Sequence, residues 1–152
     1  MEEKFSPLID ARNADLWNEL TDNHIIELEE SEEPGYLSQF NDDRISIQVD
    51  MDNLNPASLT HELLHIYVKD LDVLIAQDIK ATVEKFPELR PLFSDSLKEH
   101  LGNCLEHSKM LPLYLSRGFR NRDFVRDYDE RVMDEEEVLE LSREYYHDEA
   151  VN

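Results

Sequence analysis

In RISIQVD (44–50), Ile45, Ile47 and Val49 alternate with Ser46, Gln48 and Asp50, the two-residue period of a half-buried strand. HIIELEE (24–30) is β-branched at its start and is followed by the turn signal Pro34-Gly35, and YLSQF (36–40) adds a third short run. Two or three antiparallel strands are therefore expected before residue 56. Upstream, DARNADLWNEL (10–20) sets Leu16, Trp17 and Leu20 at helical spacing and reads as a short helix.

The period changes at Asn55-Pro56, an N-cap residue followed by proline at the first helical position. No Gly or Pro interrupts residues 57–86, which predicts one long helix or two, broken near KDLD (69–72). Pro87 and Pro91 bracket a turn. Ser94 or Asp95 caps a further helix running to about Leu111, with Pro112 interrupting and Gly118 ending a short last piece. DERVMDEEEVLELSREYY (129–146) reads as an acidic surface helix. No repeat, linker or boundary divides the chain. Residues 1–152 are expected to form a single α+β domain, a small antiparallel sheet followed by a mainly helical body.

Composition narrows the function. The 152 residues are 40% hydrophobic and 34% charged, enough apolar material for one core. The net charge is -21, and such a surface repels nucleic acid, so direct DNA or RNA binding is not expected. The charge is uneven. Residues 109–126 carry +4, and the stretch RGFRNRDFVR (117–126) holds four arginines, while residues 127–152 carry -9. The arginines are expected to pair with the acidic tail, or one of them reaches a cleft to grip an oxyanion or carboxylate, a role open also to Tyr114 and Tyr128. The one cysteine, Cys104, excludes an internal disulfide and fits a reducing compartment, with a buried apolar role expected for it. The acidic start MEEKFSPLID resembles no signal peptide, and no run is long and apolar enough for a membrane span, so a cytoplasmic location is expected.

LTHELLHIYV (59–68) carries the chemistry. His61 and His65, four residues apart, lie one turn apart on a helix and point the same way. Their ring nitrogens can meet one zinc ion at about 2.0–2.1 Å. Glu62, rotated by about 100° on the helix, can stand beside the metal and reach its water without ligating it. Leu59, Leu63, Leu64, Tyr67, Leu71 and Leu74 form the expected apolar face, turning the histidines towards a cleft. With 6 His and 20 Glu in the chain, His-Glu-x-x-His arises by chance in roughly 3 of 100 shuffles.

With its preceding amphipathic strand and Asn-Pro helix start, LTHELLHIYV resembles the zincin metallopeptidases, the short intracellular ImmA/IrrE-like branch being nearest in scale. The resemblance covers residues 44–75 and a downstream ligand helix. It implies a zincin-like fold, zinc as cofactor, His61 and His65 as ligands, Glu62 as general base, and a substrate-holding role for the strand at 44–50. The glycine and third histidine of the metzincin extension are absent, because IYVKDL follows His65.

A third ligand is sought in HLGNCLEHSKM (100–110). The gluzincin pattern points to Glu106. A helical wheel centres the apolar side on Leu101, Cys104, Leu105 and Ser108, which places His107 nearer the buried side and Glu106 almost opposite it. His107 is therefore favoured, with Glu106 as the alternative. Asn103, one turn earlier, is a candidate for holding ligand or substrate, and Gly102, costly inside a helix, is expected where another backbone packs close. His24, His100 and His147 are expected at the surface or satisfied locally. The function expected is a zinc-dependent metallopeptidase acting on an intracellular protein or peptide. The alternative is a catalytically silent zincin-like module whose acidic surface binds or inhibits a basic partner protein.

Overall fold

The computed structural model describes residues 3–41, 44–71 and 75–124. The alternating stretch becomes β3 (Arg44–Asp50), in which Ile45, Ser46, Ile47 and Val49 are all buried. A strand covered on both faces belongs in the middle of a sheet. β3 is flanked by β1 (Ile25–Ser31) and β2 (Leu37–Asn41) in the order β1-β3-β2.

The sheet is mixed, which corrects the expected antiparallel arrangement. β2 runs antiparallel to β3 with Phe40 opposite Ile45, whereas β1 runs parallel with Leu28 opposite Ile47. The alternation of side chains fixes which face is buried but not which strands pair. Pro34-Gly35 reads locally as a hairpin turn, yet residues 32–36 carry the chain past the end of β3. Gly35 adopts a φ of 101°, open to glycine without strain. Its N–H donates to Asp50 Oδ2 at 3.2 Å, which pins the crossing connection to the last residue of β3.

The N-terminal segment supports the helix that follows the sheet. A 3₁₀ turn (Glu3–Leu8) and α1 (Ala14–Asn23) bury Phe5, Leu8, Leu16 and Leu20. Between them Asn13 is fully buried and fully used. Its Oδ1 accepts the N–H of Asp10 at 2.8 Å, and its Nδ2 donates to Leu8 O at 2.9 Å and Thr60 Oγ1 at 3.1 Å. Thr60 Oγ1 in turn donates to Pro56 O at 2.6 Å. This polar knot fastens the N-terminus to the residue just before His61.

The helix start at Asn55-Pro56 forms as expected. Asn55 Oδ1 accepts the N–H of Ala57 at 2.9 Å and begins α2 (Pro56–Asp70). The phenol of Tyr36 bridges the approach, donating to Asn53 O and accepting from Asn55 N–H, both at 3.0 Å. α2 stops at Asp70, and α3 (Ile75–Lys85) is a separate helix, so the two-helix alternative holds. α2 is covered more widely than one apolar face: Leu59, Leu63, Leu64, Ile66 and Val68 are buried, while Leu71 is exposed at its end.

α4 (Asp95–Ser116) is capped by Ser94, whose Oγ accepts the N–H of Leu97 at 3.2 Å. It packs against both α2 and α3. Two expectations fail here. The helix continues through Pro112 to Ser116 instead of ending near Leu111. Pro112 and Ser108 are exposed, so the carbonyl of Ser108 that loses its helical donor faces water, while buried Met110 and Tyr114 hold the segment in place. The buried side is also not the expected one. Gly102, Glu106, Met110 and Tyr114 form the buried stripe at spacing four, while Leu105 is 47% exposed and Ser108 is exposed. Gly102 is buried. Among the described residues no helix is long and apolar enough to cross a membrane. The expected helix at 129–146 lies outside the described residues, as do Arg126, Tyr128 and His147.

Two substitutions test this account by chemical denaturation. Asn13→Ala removes the side-chain partner of Leu8 O and of the Asp10 N–H and should lower stability by about 2–4 kcal/mol. Pro112→Ala restores a helical donor at a solvent-facing site. It should raise stability by about 1–2 kcal/mol after the lost rigidity of the unfolded chain is subtracted.

Candidate metal centre

The N-cap at Asn55 fixes where α2 begins and hence which way His61 and His65 face. The close approach of α4 brings His107 to them. One ligand atom from each of the three rings can be chosen so that all lie within 4.8 Å of one another, and each residue is half-buried. Ring centroids are 5.0 Å apart for His61 and His65, 4.8 Å for His61 and His107, and 5.2 Å for His65 and His107.

The atoms facing one another suit a metal. His65 Nε2 and His107 Nε2 are 3.3 Å apart. Two nitrogens bound at tetrahedral angles to one ion at 2.0–2.1 Å are separated by about 3.3–3.4 Å. His61 Nδ1 is buried with no hydrogen-bond partner, a polar atom left unsatisfied by protein groups. Burial, followed by the neighbouring His65 and His107, pushes the His61 pKa down to about 3, against a weaker backbone hydrogen bond with Phe124. Neutral imidazole is the form that ligates a metal. A cluster of three histidines therefore fits a metal ion, and the expected third position falls on His107.

Glu106 has a different place from either one foreseen. It is only 8% exposed, which corrects its expected projection away from the buried side. Its Oε2 lies 3.3 Å from His65 Nδ1, on the ring edge opposite the nitrogen that faces His107. The wheel misled because the buried stripe of α4 carries a glycine and a carboxylate, residue types that hydrophobicity assigns to solvent. Asn103 is exposed one turn before His107, and none of the described hydrogen bonds joins it to the three rings.

Glu62 is 8% exposed, and its Oε2 accepts the N–H of Ser38 in β2 at 2.9 Å. The carboxylate thus sits where α2 meets the edge of the sheet. Lys69, one turn after His65, places Nζ 3.1 Å above the ring centroid of Phe40 in β2. Burial pushes its pKa down, while attraction from Glu106 and then Glu62 holds it up.

Beyond α4 the chain returns over the histidines. Phe124 is buried, with its ring 4.8 Å from His61, 5.5 Å from His107 and 4.9 Å from Tyr114. Tyr114 donates its hydroxyl to Asp123 O at 3.0 Å, which makes it a brace for this segment. Arg120 pairs with Asp123 at 2.7 Å, and Arg117 donates to Leu113 O, so these arginines are engaged locally. His24 is paired with Asp70 at 2.8 Å, and His100 is exposed with Nε2 3.6 Å from Cys104 Sγ. Cys104 is half-buried on the outer side of α4, not in the core as expected.

The sequence offered no signal for Phe124, which follows an arginine-rich stretch without periodicity. Lys69 was visible as the cation four residues after His65 but carried no motif. Comparison of the chain with protein-family models, curated proteins and solved structures finds no match.

Protein purified without added metal and then titrated should bind one divalent ion per chain. His61→Ala, His65→Ala and His107→Ala should each abolish most of that binding, since two remaining ligands hold an ion weakly. Asn103→Ala should leave it intact. Calorimetry and elemental analysis measure both, and undiminished binding in the three histidine variants excludes this centre.

Proposed function

We propose that the protein is a zinc-dependent metallopeptidase of zincin-like type acting on a protein or peptide in extended form. The observation that carries this reading is a cluster of three imidazoles, two of them on the helix that also carries the buried carboxylate of Glu62, with that carboxylate bonded to the edge strand β2. Three histidines with one further position for water form a donor set suited to zinc. When bound, zinc supplies Lewis acidity, lowering the pKa of a water to about 7 and polarising the scissile carbonyl.

The protein's own groups supply the rest. Glu62 is the general base that removes a proton from the attacking water and delivers it to the departing amine. The Ser38 N–H holds one carboxylate oxygen at 2.9 Å and so limits the rotation of that group. Phe124 walls the rings with apolar surface and keeps bulk water from His61.

We assign the substrate to a different strand from the one the resemblance implies. β3 (Arg44–Asp50), the strand suggested by the sequence resemblance, is paired on both sides and has no free edge. β2 is the edge nearest α2, and Leu37 and Phe40 on it are exposed. The backbone at Ser38 already meets Glu62, and that of Phe40, two residues on, faces the same way. An extended peptide paired along this edge passes beside the base.

Glu62→Gln is the test, because it keeps the shape of the side chain and leaves the three imidazoles in place. The zinc-loaded protein, incubated with a mixture of denatured proteins, should release new peptides detected by mass spectrometry. The variant should retain zinc and fold while its rate falls by about 10²–10⁴-fold. Cleavage undiminished in the variant, or none by the zinc-loaded wild type, would refute the peptidase assignment.

A further inference from the structure

The imidazole of His65 is held from both ends. Nε2 faces His107 Nε2 at 3.3 Å, and Nδ1 faces Glu106 Oε2 at 3.3 Å. A neutral imidazole has one N–H and one lone pair, whereas a carboxylate only accepts. The hydrogen bond to Glu106 therefore requires the proton on Nδ1 and leaves the lone pair on Nε2, directed to the other two rings. The opposed directions of the two ring nitrogens also keep Glu106 on the far side of the ring from an ion held at Nε2.

A carboxylate this deeply covered is costly to keep charged without a counter-ion. Lys69 lies one turn beyond His65 on α2 with its ammonium over the Phe40 ring, and attraction from Glu106 and then Glu62 holds its pKa up against burial. The cation lies over β2, while α4 supplies Glu106 from the opposite helix.

We infer that Glu106 is a positioning residue and not a metal ligand: it fixes His65 as the Nδ1–H tautomer and aims Nε2 at the centre. This rests on the metal-centre reading for its purpose, but the tautomer itself is a property of the metal-free protein. A carboxylate behind a ligating histidine orients the ring and raises its basicity, and loss of such a partner commonly lowers metal affinity about 10–100-fold.

The experiment joins long-range ¹⁵N–¹H spectra of the histidine rings in metal-free protein with cobalt(II) and zinc titrations. Wild type should show His65 as the Nδ1–H tautomer. Glu106→Leu should lose that preference and bind zinc about 10–100-fold more weakly, while its cobalt(II) absorption bands stay at the wild-type positions because the ligands are unchanged. Glu106→Gln, which keeps an accepting oxygen and nearly the same shape, should retain the tautomer, lose less affinity, and shift the Nδ1–H proton upfield. Lys69→Met should weaken zinc binding by less than Glu106→Leu does. An Nε2–H tautomer in the wild type overturns the inference, whether or not metal binds. Cobalt bands displaced in Glu106→Gln overturn it too, by making the carboxylate a ligand. Failure of the wild type to bind any metal, with the Nδ1–H tautomer present, removes the metal-centre reading alone and leaves the hold of Glu106 on His65 established.

Discussion

The contact of α4 against α2 is the constraint on which the rest depends. His61 and His65 stand on one helix and cannot by themselves surround an ion. The third imidazole arrives only because α4 crosses close enough to set His107 Nε2 3.3 Å from His65 Nε2. Gly102, one turn before Glu106, is buried on the same stripe. Below the site Met110 and Tyr114 continue the same stripe and anchor it in the core. The polar and apolar parts of one helix face thus do different tasks. The lower turns supply packing energy, and the upper turns use it to hold polar groups where water is scarce.

Such an arrangement demands rigid support, because each polar group in it has lost solvent. α2 is fixed at its start by the Asn55 cap and by the Asn13–Thr60 knot, immediately before the first histidine. It is fixed along the sheet by Glu62 on Ser38 and by Lys69 over Phe40. Phe124 closes the side that the helices leave open, braced by Tyr114 through Asp123. These ties come from the N-terminal segment, the edge strand and the chain after α4. Residues remote in sequence therefore set the direction of two histidines that are neighbours on one turn.

How much of this was legible in the sequence follows from the range of each interaction. Elements set by local chemistry could be read: the alternation at 44–50, the Asn55-Pro56 start, the Ser94 cap and the His-Glu-x-x-His spacing each declare themselves within a few residues. The α+β class followed from these, whereas His107 was chosen by a helical wheel whose buried side the structure does not share. What depended on distant partners could not be read. Pro34-Gly35 looked like a hairpin because nothing local shows that Asp50 would receive its N–H. Pro112 looked like a helix end because its tolerance depends on Met110 and Tyr114 being buried elsewhere. Glu106 was placed outside because a hydrophobic wheel assumes that buried faces are apolar, and at this helix contact the buried face is where the chemistry sits.

The same assumption explains why the site is legible in structure as a site. His61 is buried enough to be kept neutral down to about pH 3, yet its Nδ1 meets no protein acceptor or donor. A core selected for stability alone would replace such a group by an apolar side chain of similar size, since an unsatisfied buried polar atom costs about 1–3 kcal/mol. The proposed metal would offset that cost, because an ion that binds the native and not the unfolded chain adds its binding free energy to stability. The unpartnered nitrogen, the matched 3.3 Å spacing and the carboxylate behind His65 are three separate departures from core packing. They are the observations on which the proposed metal centre rests.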